Sequence, residues 1–260
     1  MKVVAIIPAR YSSARFPGKV VTPIAGKPMI QRVWERASQA KGVEEVIVAT
    51  DDDKVQKAVT GFGGKCIMTS SECRSGTERC AEAADKISAD IVINVQGDEP
   101  LINPRSLELL ISPFREDDRL GMATLRYPIK SYEAFVNPNI VKVICDEQDH
   151  ALYFSRLSIP YFREKQDLLQ EWAETGERPA ELLPVPMKHI GVYAYRESFL
   201  QALTRLPRTD LEAAELLEQL RVLAWGFKIK VVPTSHDSMG VDIKEDVQKV
   251  EETIAKEGIP

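Results

Sequence analysis

KVVAIIPARYSSARFPGK, residues 2–19, is the stretch that decides the fold class. Residues 3–7 form a short apolar run rich in β-branched side chains and ended by a proline, which is typical of a buried strand. Small residues follow, and among them lie the cations Arg10, Arg15 and Lys19. Because ligands bind beyond the carboxyl ends of the strands in open α/β sheets, this pattern predicts a polyanion site. The alternative is an ordinary loop with solvated charges.

Two familiar phosphate-binding motifs are absent from this loop. Lys19 is followed by Val20 rather than by serine or threonine, so the loop does not match G-x-x-x-x-G-K-[ST]. It does not match G-x-G-x-x-G either. The sequence therefore supports neither a Walker-type NTPase nor a dinucleotide-dependent dehydrogenase.

Length, composition and charge restrict the class of protein. The 260 residues suffice for one large α/β domain or for a core domain with a smaller lobe, and 44% hydrophobic with 28% charged residues is typical of a soluble globular enzyme. The net charge of −5 argues against a nucleic-acid-binding protein, and no apolar stretch is long enough to span a membrane. The four cysteines form no C-x-x-C pair, so we expect a reducing, cytoplasmic location.

Apolar runs and helical periodicity alternate through the first half of the chain. The predicted strands are 3–7, 46–50, 66–68, 91–95 and 122–125, and helices at 27–40, 53–59, 77–87 and 107–111 separate them. Right-handed crossovers then give parallel strands. We therefore predict an α/β fold with a doubly wound, mostly parallel, Rossmann-like sheet.

The second half has a different pattern. A hairpin is predicted over 140–154, a surface excursion with one helix near 168–172 over 163–186, and a strand over 189–195. Helices at 197–203 and 211–224, a strand at 229–232 and a closing helix at 244–255 follow. We predict one domain over 1–260, in which residues 126–196 form a smaller, inserted, β-containing lobe.

SGTER, residues 75–79, opens a predicted helix. Ser75 or Thr77 can cap this helix, and that role explains the pattern without any ligand. The alternative is that Arg79 and the start of the helix face a nucleotide.

QGDEP, residues 96–100, directly follows a buried strand. Asp98 offers hard oxygen donors of the kind that magnesium prefers, at the sheet edge where ligands bind. The alternative is a turn, which glycine and aspartate both favour.

Together these motifs resemble 3-deoxy-manno-octulosonate cytidylyltransferase, the CMP-Kdo synthetase family. The matching blocks are IPARYSSARFPGK at 7–19, SGTER at 75–79, VQGDEP at 95–100, ALYFSR at 151–156, HIGVYAYR at 189–196, LEQLRVL at 217–223 and GVDIKED at 240–246. The resemblance spans nearly the whole chain, and the combination of HIGVY, LEQLR and GVD is its most specific part. Phe16, Val20 and a longer excursion at 164–187 depart from the family pattern.

The resemblance implies a nucleotide-diphospho-sugar transferase fold and a reaction. CMP passes from CTP to the 2-hydroxyl of 3-deoxy-D-manno-octulosonate (Kdo) in lipopolysaccharide biosynthesis, and pyrophosphate leaves. Arg10, Arg15 and Lys19 would act in catalysis by neutralising the phosphates, and Asp98 and Asp242 by holding Mg²⁺. The implied nucleotide-binding residues are Pro8, Ala9, Arg10, Ser13, Lys19, Ser75, Thr77, Arg79, Gln96 and Gly97.

The same resemblance implies an acceptor site and a homodimer. The sugar-binding residues would be Arg156, His189, Tyr193, Glu218 and Gln219, and the lobe at 126–196 would serve sugar binding and dimerisation. Arg156 suits the sugar carboxylate. Without the resemblance, His189 is better explained as a structural histidine, and Glu218 and Gln219 as a solvated helix face.

Two further hypotheses remain open from the sequence. One is a related sugar-acid cytidylyltransferase that accepts 8-amino-Kdo or sialic acid, although HIGVY and LEQLR together are not expected in a sialic-acid enzyme. The other is a non-catalytic nucleotide-binding module on the same fold. Against the module stand two metal-type carboxylates and three loop cations, which simple binding does not require.

Overall fold

The structure is a computed structural model that describes residues 1–12 and 16–259. The strands are β1 (Val3–Ala9), β2 (Pro23–Ile24), β3 (Lys27–Pro28), β4 (Glu45–Thr50), β5 (Lys65–Met68), β6 (Ile91–Asn94), β7 (Met122–Pro128), β8 (Lys142–Cys145), β9 (Ala151–Ser155), β10 (Met187–Arg196) and β11 (Lys230–Pro233). The helices are α1 (Met29–Ser38), α2 (Asp53–Gly61), α3 (Gly76–Ala84), α4 (Pro104–Ile111), α5 (Pro113–Glu116), α6 (Tyr132–Val136), α7 (Gln166–Thr175), α8 (Glu197–Arg205), α9 (Asp210–Glu215), α10 (Gln219–Ala224) and α11 (Lys244–Glu257).

The chain forms two compact units. Unit 1 comprises Met1–Arg119, Val192–Thr204 and Ser238–Pro260, and unit 2 comprises Leu120–Gly191 and Arg205–Asp237. Strand β10 contributes residues to both units. The predicted lobe at 126–196 overlaps unit 2 without matching it, because unit 2 also takes in 205–237. The binding and dimerisation roles given to that lobe stay predictions.

Unit 1 is built on a mostly parallel sheet. Strand β1 pairs in parallel with β4 on one side and with β6 on the other, and β5 continues the parallel order beyond β4. The last residues of β10 run antiparallel to β6. Nearly every side chain of β1 is buried, as expected of a parallel strand covered on both faces. With helices interleaved, this sheet confirms the α/β class and the mostly parallel order.

Unit 2 combines a parallel strand pair with a hairpin. β7 and β11 are parallel, and β8 and β9 form the antiparallel hairpin that the sequence predicts. The excursion at 163–186 differs from expectation, because it contributes to a hydrophobic core. Trp172 of α7 and Leu182 are fully buried there, and Trp172 stacks on Phe135 of α6 with ring centroids 5.8 Å apart.

Two predicted helices have different limits. The helix predicted from residue 27 begins at Met29, because Pro28 pairs instead with Pro23 in the small β2–β3 ribbon. The single helix predicted over 211–224 is wrong. It is interrupted at Leu216, whose φ of 53° is left-handed, so that α9 and α10 are separate helices. Such a conformation costs a non-glycine residue roughly 1–2 kcal/mol, which local sequence preference does not reveal.

Candidate active site

The carboxyl ends of β1 and β6 bring two sequence motifs together. The two parallel strands are neighbours, and just beyond β6 the Val95 N–H donates to the Ile6 carbonyl at 3.0 Å. A Cβ on Gly97 would lie 2.9 Å from the Pro8 carbonyl oxygen, closer than side-chain carbons come to backbone, so glycine permits the contact. The cationic loop and the QGDEP turn therefore share one sheet edge, as predicted.

A cavity of about 240 Å³ opens at this edge of unit 1. It is lined by Pro8, Arg10, Ser12, Lys19, Val20, Gly76, Arg79, Gln96, Gly97 and Asp98. Most of the predicted nucleotide-binding residues are thus gathered around one cavity of small residues, cations and a carboxylate. Ala9, Ser75 and Thr77 are outside its lining, and Ser13 and Arg15 lie outside the described residues. The binding roles given to all of these residues, inside the lining or outside it, stay predictions.

Lys19 connects the two predicted metal ligands. It lies in a tight 3-10 turn that follows Gly18, whose φ of 73° favours glycine. Its side chain is largely buried, and its Nζ donates to Asp98 Oδ2 at 2.6 Å and lies 3.9 Å from Asp242 Oδ1. The backbone also joins the two loops, since the Val241 N–H donates to the Asp98 carbonyl at 2.9 Å. Carboxylates far apart in sequence therefore meet at one cation.

The donor set at Asp98 and Asp242 fits magnesium. Mg²⁺ binds oxygen, keeps several waters, and in nucleotide sites takes only one or two carboxylates besides the substrate phosphates. Within the described residues there is no group of three or more His, Cys, Asp or Glu side chains of the kind that would enclose a metal by themselves. A pair of converging carboxylates beside a cavity lined by Arg10 and Lys19 suits a metal ion whose ligands are shared between protein and phosphate.

Arg10 is fixed at the mouth of the loop by the backbone. Its guanidinium donates to the Cys73 carbonyl, and it lines the cavity. Burial raises the pKa of the Cys73 thiol to about 11, so this cysteine is protonated at neutral pH and is no nucleophile. Arg10 therefore places a positive charge at the cavity.

Helix α3 begins with a side-chain cap at Ser75. The Ser75 hydroxyl accepts a hydrogen bond from the Glu78 N–H at 3.2 Å, which confirms the capping interpretation. Arg79 lines the cavity but is fully buried, and its Nη2 lies 2.9 Å from Asp51 Oδ2 while Nη1 donates to Thr69. Its charge is thus already paired, although its buried Nε has no partner among the described residues.

Arg156, directly after β9, is held by main-chain oxygens. Its Nε donates to the Glu215 carbonyl at 2.7 Å and its Nη1 to the Pro138 carbonyl at 3.2 Å. Both guanidinium partners are neutral carbonyls, and within the described part of the chain no carboxylate lies in ion-pair distance of the Arg156 guanidinium. The charge of Arg156 is therefore suited to an external anion.

His189 is buried in unit 2. Its ring packs edge-on against Phe154, and its Nε2 lies 2.9 Å from the Thr124 hydroxyl. That hydroxyl donates to the Ile190 carbonyl, so it can accept from an Nε2–H. Burial lowers the pKa of His189 to about 3, which leaves a neutral imidazole at physiological pH. These contacts are those of a structural histidine, and its sugar-binding role stays a prediction.

The remaining predicted acceptor residues lie in different surroundings. Glu218 precedes α10 and lies 3.8 Å from Arg221. Gln219 is buried rather than on a solvated helix face, and its Nε2 has no hydrogen-bond partner among the described residues. Tyr193 is half-buried in the part of β10 that belongs to unit 1, where its ring stacks on Tyr195.

Sequence reasoning missed four polar residues around these positions. Lys142 and Glu215 contact Arg156, Arg221 lies near Glu218, and Glu212 binds Arg221. Glu212 and Glu215 lie three apart in a predicted helix, a spacing equally typical of a solvated face. The only sequence feature that pointed to Glu212 and Glu215 was their position shortly before the LEQLR block.

Comparisons with known proteins agree on one family. The family model described as Cytidylyltransferase matches residues 4–229. A 3-deoxy-manno-octulosonate cytidylyltransferase of Geobacter metallireducens is 51% identical over 98% of this chain and 99% of its own. An 8-amino-3,8-dideoxy-manno-octulosonate cytidylyltransferase of Shewanella baltica is 48% identical over 98% and 99%. The solved structure of CMP:2-keto-3-deoxy-manno-octonic acid synthetase complexed with CTP has a TM-score of 0.89, with 44% identity over 99% of this chain and 100% of that one.

Proposed function

The chain belongs to the cytidylyltransferase family, and from this premise we propose that it transfers CMP from CTP to the 2-hydroxyl of Kdo, for lipopolysaccharide biosynthesis. The observation that carries the proposal is full-length similarity to a CTP-complexed synthetase, together with the cavity at the sheet edge of unit 1. In this reaction the sugar oxygen forms a bond to the α-phosphorus, the bond to the β-phosphate oxygen breaks, and the hydroxyl proton is lost to water.

The residues around the cavity can stabilise the charge of this reaction. Pyrophosphate leaves with more negative charge than it carried as part of the nucleotide, so cations placed in advance favour the transition state. Lys19 supplies a compact point charge, and Arg10 supplies a planar fork of donors. We propose that Arg15 acts with them. The enzyme then contributes position and charge, with no covalent intermediate.

We propose that the reaction depends on Mg²⁺ held by Asp98 and Asp242. Their oxygen donors and their convergence on Lys19 support this assignment. When bound there, the ion would neutralise phosphate charge and lower the pKa of the attacking hydroxyl. Asp98 and Asp242 would orient it, while Lys19 would balance their charge.

For the acceptor, we propose that Arg156 binds the sugar carboxylate and that Gln219 binds a hydroxyl. The Arg156 guanidinium is fixed by carbonyls and retains its charge for an anion. The buried amide nitrogen of Gln219 lacks an acceptor within the described residues, and such a group is costly until an oxygen satisfies it. His189, Tyr193 and Glu218 complete the proposed set.

We also propose a cytoplasmic homodimer. All four cysteines are free thiols, as in a reducing compartment, and among the described residues no helix has the length and apolar character needed to cross a bilayer. Leu157, Tyr161 and Leu216 of unit 2 are each more than 70% exposed, and exposed large apolar side chains support a subunit interface. Light scattering coupled to size exclusion would give the mass in solution.

A second acceptor has a specific observation in its favour. The Shewanella baltica relative, named for the 8-amino sugar, is nearly as similar to this chain as the Geobacter relatives named for Kdo. Replacing one hydroxyl by an amino group leaves the sugar carboxylate, and hence the proposed partner of Arg156, unchanged. Specificity constants for the two sugars, measured side by side, decide between them.

One experiment tests the proposed activity directly. Pyrophosphate release is followed with CTP and Mg²⁺ in the presence of Kdo, 8-amino-Kdo or sialic acid, and mass spectrometry identifies the CMP-sugar. We expect Kdo to give the highest kcat/KM. Binding of CTP without pyrophosphate release from any of the three acceptors would overturn the proposal in favour of a nucleotide-binding module.

A further inference from the structure

Helix α9 contacts Arg156 directly through Glu215, and it contacts Arg221 of α10 through Glu212. We infer that Glu212 and Glu215 are positioning residues for the sugar acid, Glu215 by fixing Arg156 and Glu212 by fixing the start of α10 through Arg221. This inference rests on the proposed function, because it concerns the acceptor of that same reaction. Neither carboxylate needs to touch the sugar in order to act.

Glu215 holds Arg156 by both its backbone and its side chain. Its carboxylate accepts from the Arg156 N–H at 2.9 Å and from the Ser155 hydroxyl at 2.6 Å, while its carbonyl accepts from Arg156 Nε at 2.7 Å. The carboxylate therefore fixes the main chain at the end of β9, and the guanidinium is oriented by a neutral oxygen. The arrangement sets the direction of Arg156 without placing a carboxylate on its guanidinium.

Lys142 fixes the other side of the same residue. Its side chain is fully buried, and its Nζ donates to the carbonyls of Arg156, Asn137 and Ile140 at 2.7, 2.9 and 2.5 Å. Burial lowers the pKa of Lys142, whereas the nearby carboxylate of Glu215 opposes that shift. The Arg156 backbone is thus bonded at its N–H by Glu215 and at its carbonyl by Lys142.

Glu212 holds the second group through a buried ion pair. Its two carboxylate oxygens accept from Arg221 Nε at 2.7 Å and from Arg221 Nη2 at 2.5 Å, and both side chains are about 95% buried or more. Burial alone would raise the pKa of Glu212, but its bonds to Arg221 and Arg208 outweigh that effect and lower it. A charged fork of this kind is geometrically specific as well as strong.

The pair fixes the beginning of α10, where the proposed sugar contacts lie. Arg221 also lies 3.8 Å from Glu218, and Gln219 is the first residue of the helix. The left-handed turn at Leu216 separates the two helices, so no continuous helical backbone sets their relative angle. Side-chain contacts such as Glu212–Arg221 must do so instead. A shift of α10 would move Glu218 and Gln219 together.

Kinetic constants of charge-neutral variants test the assignment. Glu215→Gln keeps the size of the side chain but places an amide NH₂ against either the Ser155 hydroxyl or the Arg156 N–H, the two donors of the native carboxylate. We therefore expect KM for Kdo to rise about tenfold or more, while kcat and KM for CTP change little. Asp210→Asn is the matched control, because it removes one charge from an exposed position of the same helix. It should leave all three constants within about twofold.

Glu212 needs a paired design, since Glu212→Gln alone leaves a buried arginine without its counter-charge and can prevent folding. The double variant Glu212→Gln with Arg221→Gln removes both charges and permits a neutral hydrogen bond. We expect it to recover a cooperative melting transition while KM for Kdo stays raised about tenfold, because the charged fork is gone. Full recovery of that KM along with the melting temperature would show a purely structural role and would overturn the inference for Glu212.

The possible results of these experiments distinguish this inference from the proposed function on which it rests. Absence of pyrophosphate release by the wild-type protein with CTP and Kdo overturns both. A fully active wild type, together with a Glu215→Gln variant whose KM for Kdo is unchanged, overturns the positioning role of Glu215 alone. An equal rise in the KM values for CTP and Kdo would point to a general disturbance of the fold and would also overturn it.

Discussion

Lys19 Nζ lies 2.6 Å from Asp98 Oδ2 and 3.9 Å from Asp242 Oδ1, so one largely buried ammonium group is shared by two carboxylates. This ammonium group supplies the positive charge to which both carboxylates are directed. Because Lys19 also lines the cavity, it is well placed to face the phosphates when a nucleotide is present.

Replacing Lys19 by methionine tests its proposed role at the triphosphate end. Lys19→Met removes the charge and keeps most of the apolar stem, so we expect kcat to fall on the order of 10²–10³-fold, as for other transition-state donors. Steady-state kinetics with CTP and Kdo measure the change. Lys57→Met, at an exposed position of α2, is the control and should retain wild-type turnover. A kcat for Lys19→Met within about threefold of wild type would contradict the role.

Neutralising either predicted metal ligand should abolish most activity while leaving the fold intact. Asp98→Asn and Asp242→Asn each preserve shape and remove a charge that Mg²⁺ requires. Calorimetric titration of Mg²⁺ into the protein with CTP present should show weakened binding for both variants, independently of turnover. Asp118→Asn, an exposed exchange of the same kind, should bind as wild type does. Unchanged Mg²⁺ affinity in either test variant would remove that residue from the ligand set.

The contact of Gly97 with Pro8 predicts a sharp difference between two glycines. Gly97→Ala would force a Cβ against the Pro8 carbonyl, so we expect a loss of about 1–3 kcal/mol of stability, typical of overpacking, and weaker CTP binding. Gly61→Ala, at the end of α2, meets nothing within 4 Å and should be neutral or stabilising by a few tenths of a kcal/mol. Urea unfolding measures both. Equal stabilities of the two variants would argue against the close approach.

His189 should make the protein less stable in acid. Its folded-state pKa of about 3 lies below the unfolded value of about 6.5, so the unfolded chain binds the extra proton between those limits. Stability should therefore fall as the pH decreases through that window, by up to about 1.4 kcal/mol per pH unit from this residue. Urea unfolding at several pH values should give a shallower dependence for His189→Gln. An identical slope for both proteins would mean that His189 titrates normally.

The close contact of Gly76 with Pro8 at the cavity wall predicts a choice of base. A Cβ on Gly76 would lie 3.2 Å from Pro8 Cγ, so these two residues are in close contact at the cavity wall. We expect the smaller pyrimidine ring to fit there better than a purine, as the cytidylyltransferase family also implies. Pyrophosphate release with saturating Kdo should be strongly preferred with CTP over ATP and GTP. Comparable rates with ATP would exclude a selective cytosine site.

Local patterns in the sequence predict most of the strands and helices of unit 1. The parallel strands β1, β4, β5 and β6 each contain a short apolar run. The motifs that follow β1 and β6 are each contiguous in sequence, so their meeting at one sheet edge follows from parallel pairing alone. The approach of Asp242 to Lys19 is different. It joins distant segments through one salt bridge and a backbone hydrogen bond, and only the family resemblance indicated it.

Unit 2 depends more on contacts that no local pattern encodes. The segment around Trp172 has weak periodicity, yet its indole is fully buried among Tyr132 and Phe135. The sequence around Leu216 predicts one continuous helix. The left-handed conformation of Leu216 costs conformational free energy that tertiary contacts must offset, and local sequence preference does not reveal those contacts. The pattern at Glu212 and Glu215 is likewise typical of solvent-facing charges, because a local pattern does not show the tertiary partners of a carboxylate.

The three carbonyl partners of Lys142 restrict what this position can become. An ammonium group carries its N–H bonds with threefold symmetry about one atom, and here each bond is directed at a different main-chain oxygen. Arginine has the same charge, but its donors lie in one plane and spread over three nitrogens. Arginine, the usual conservative exchange for lysine, is therefore excluded by shape at this position. A neutral residue would remove a charged donor from three main-chain oxygens at once.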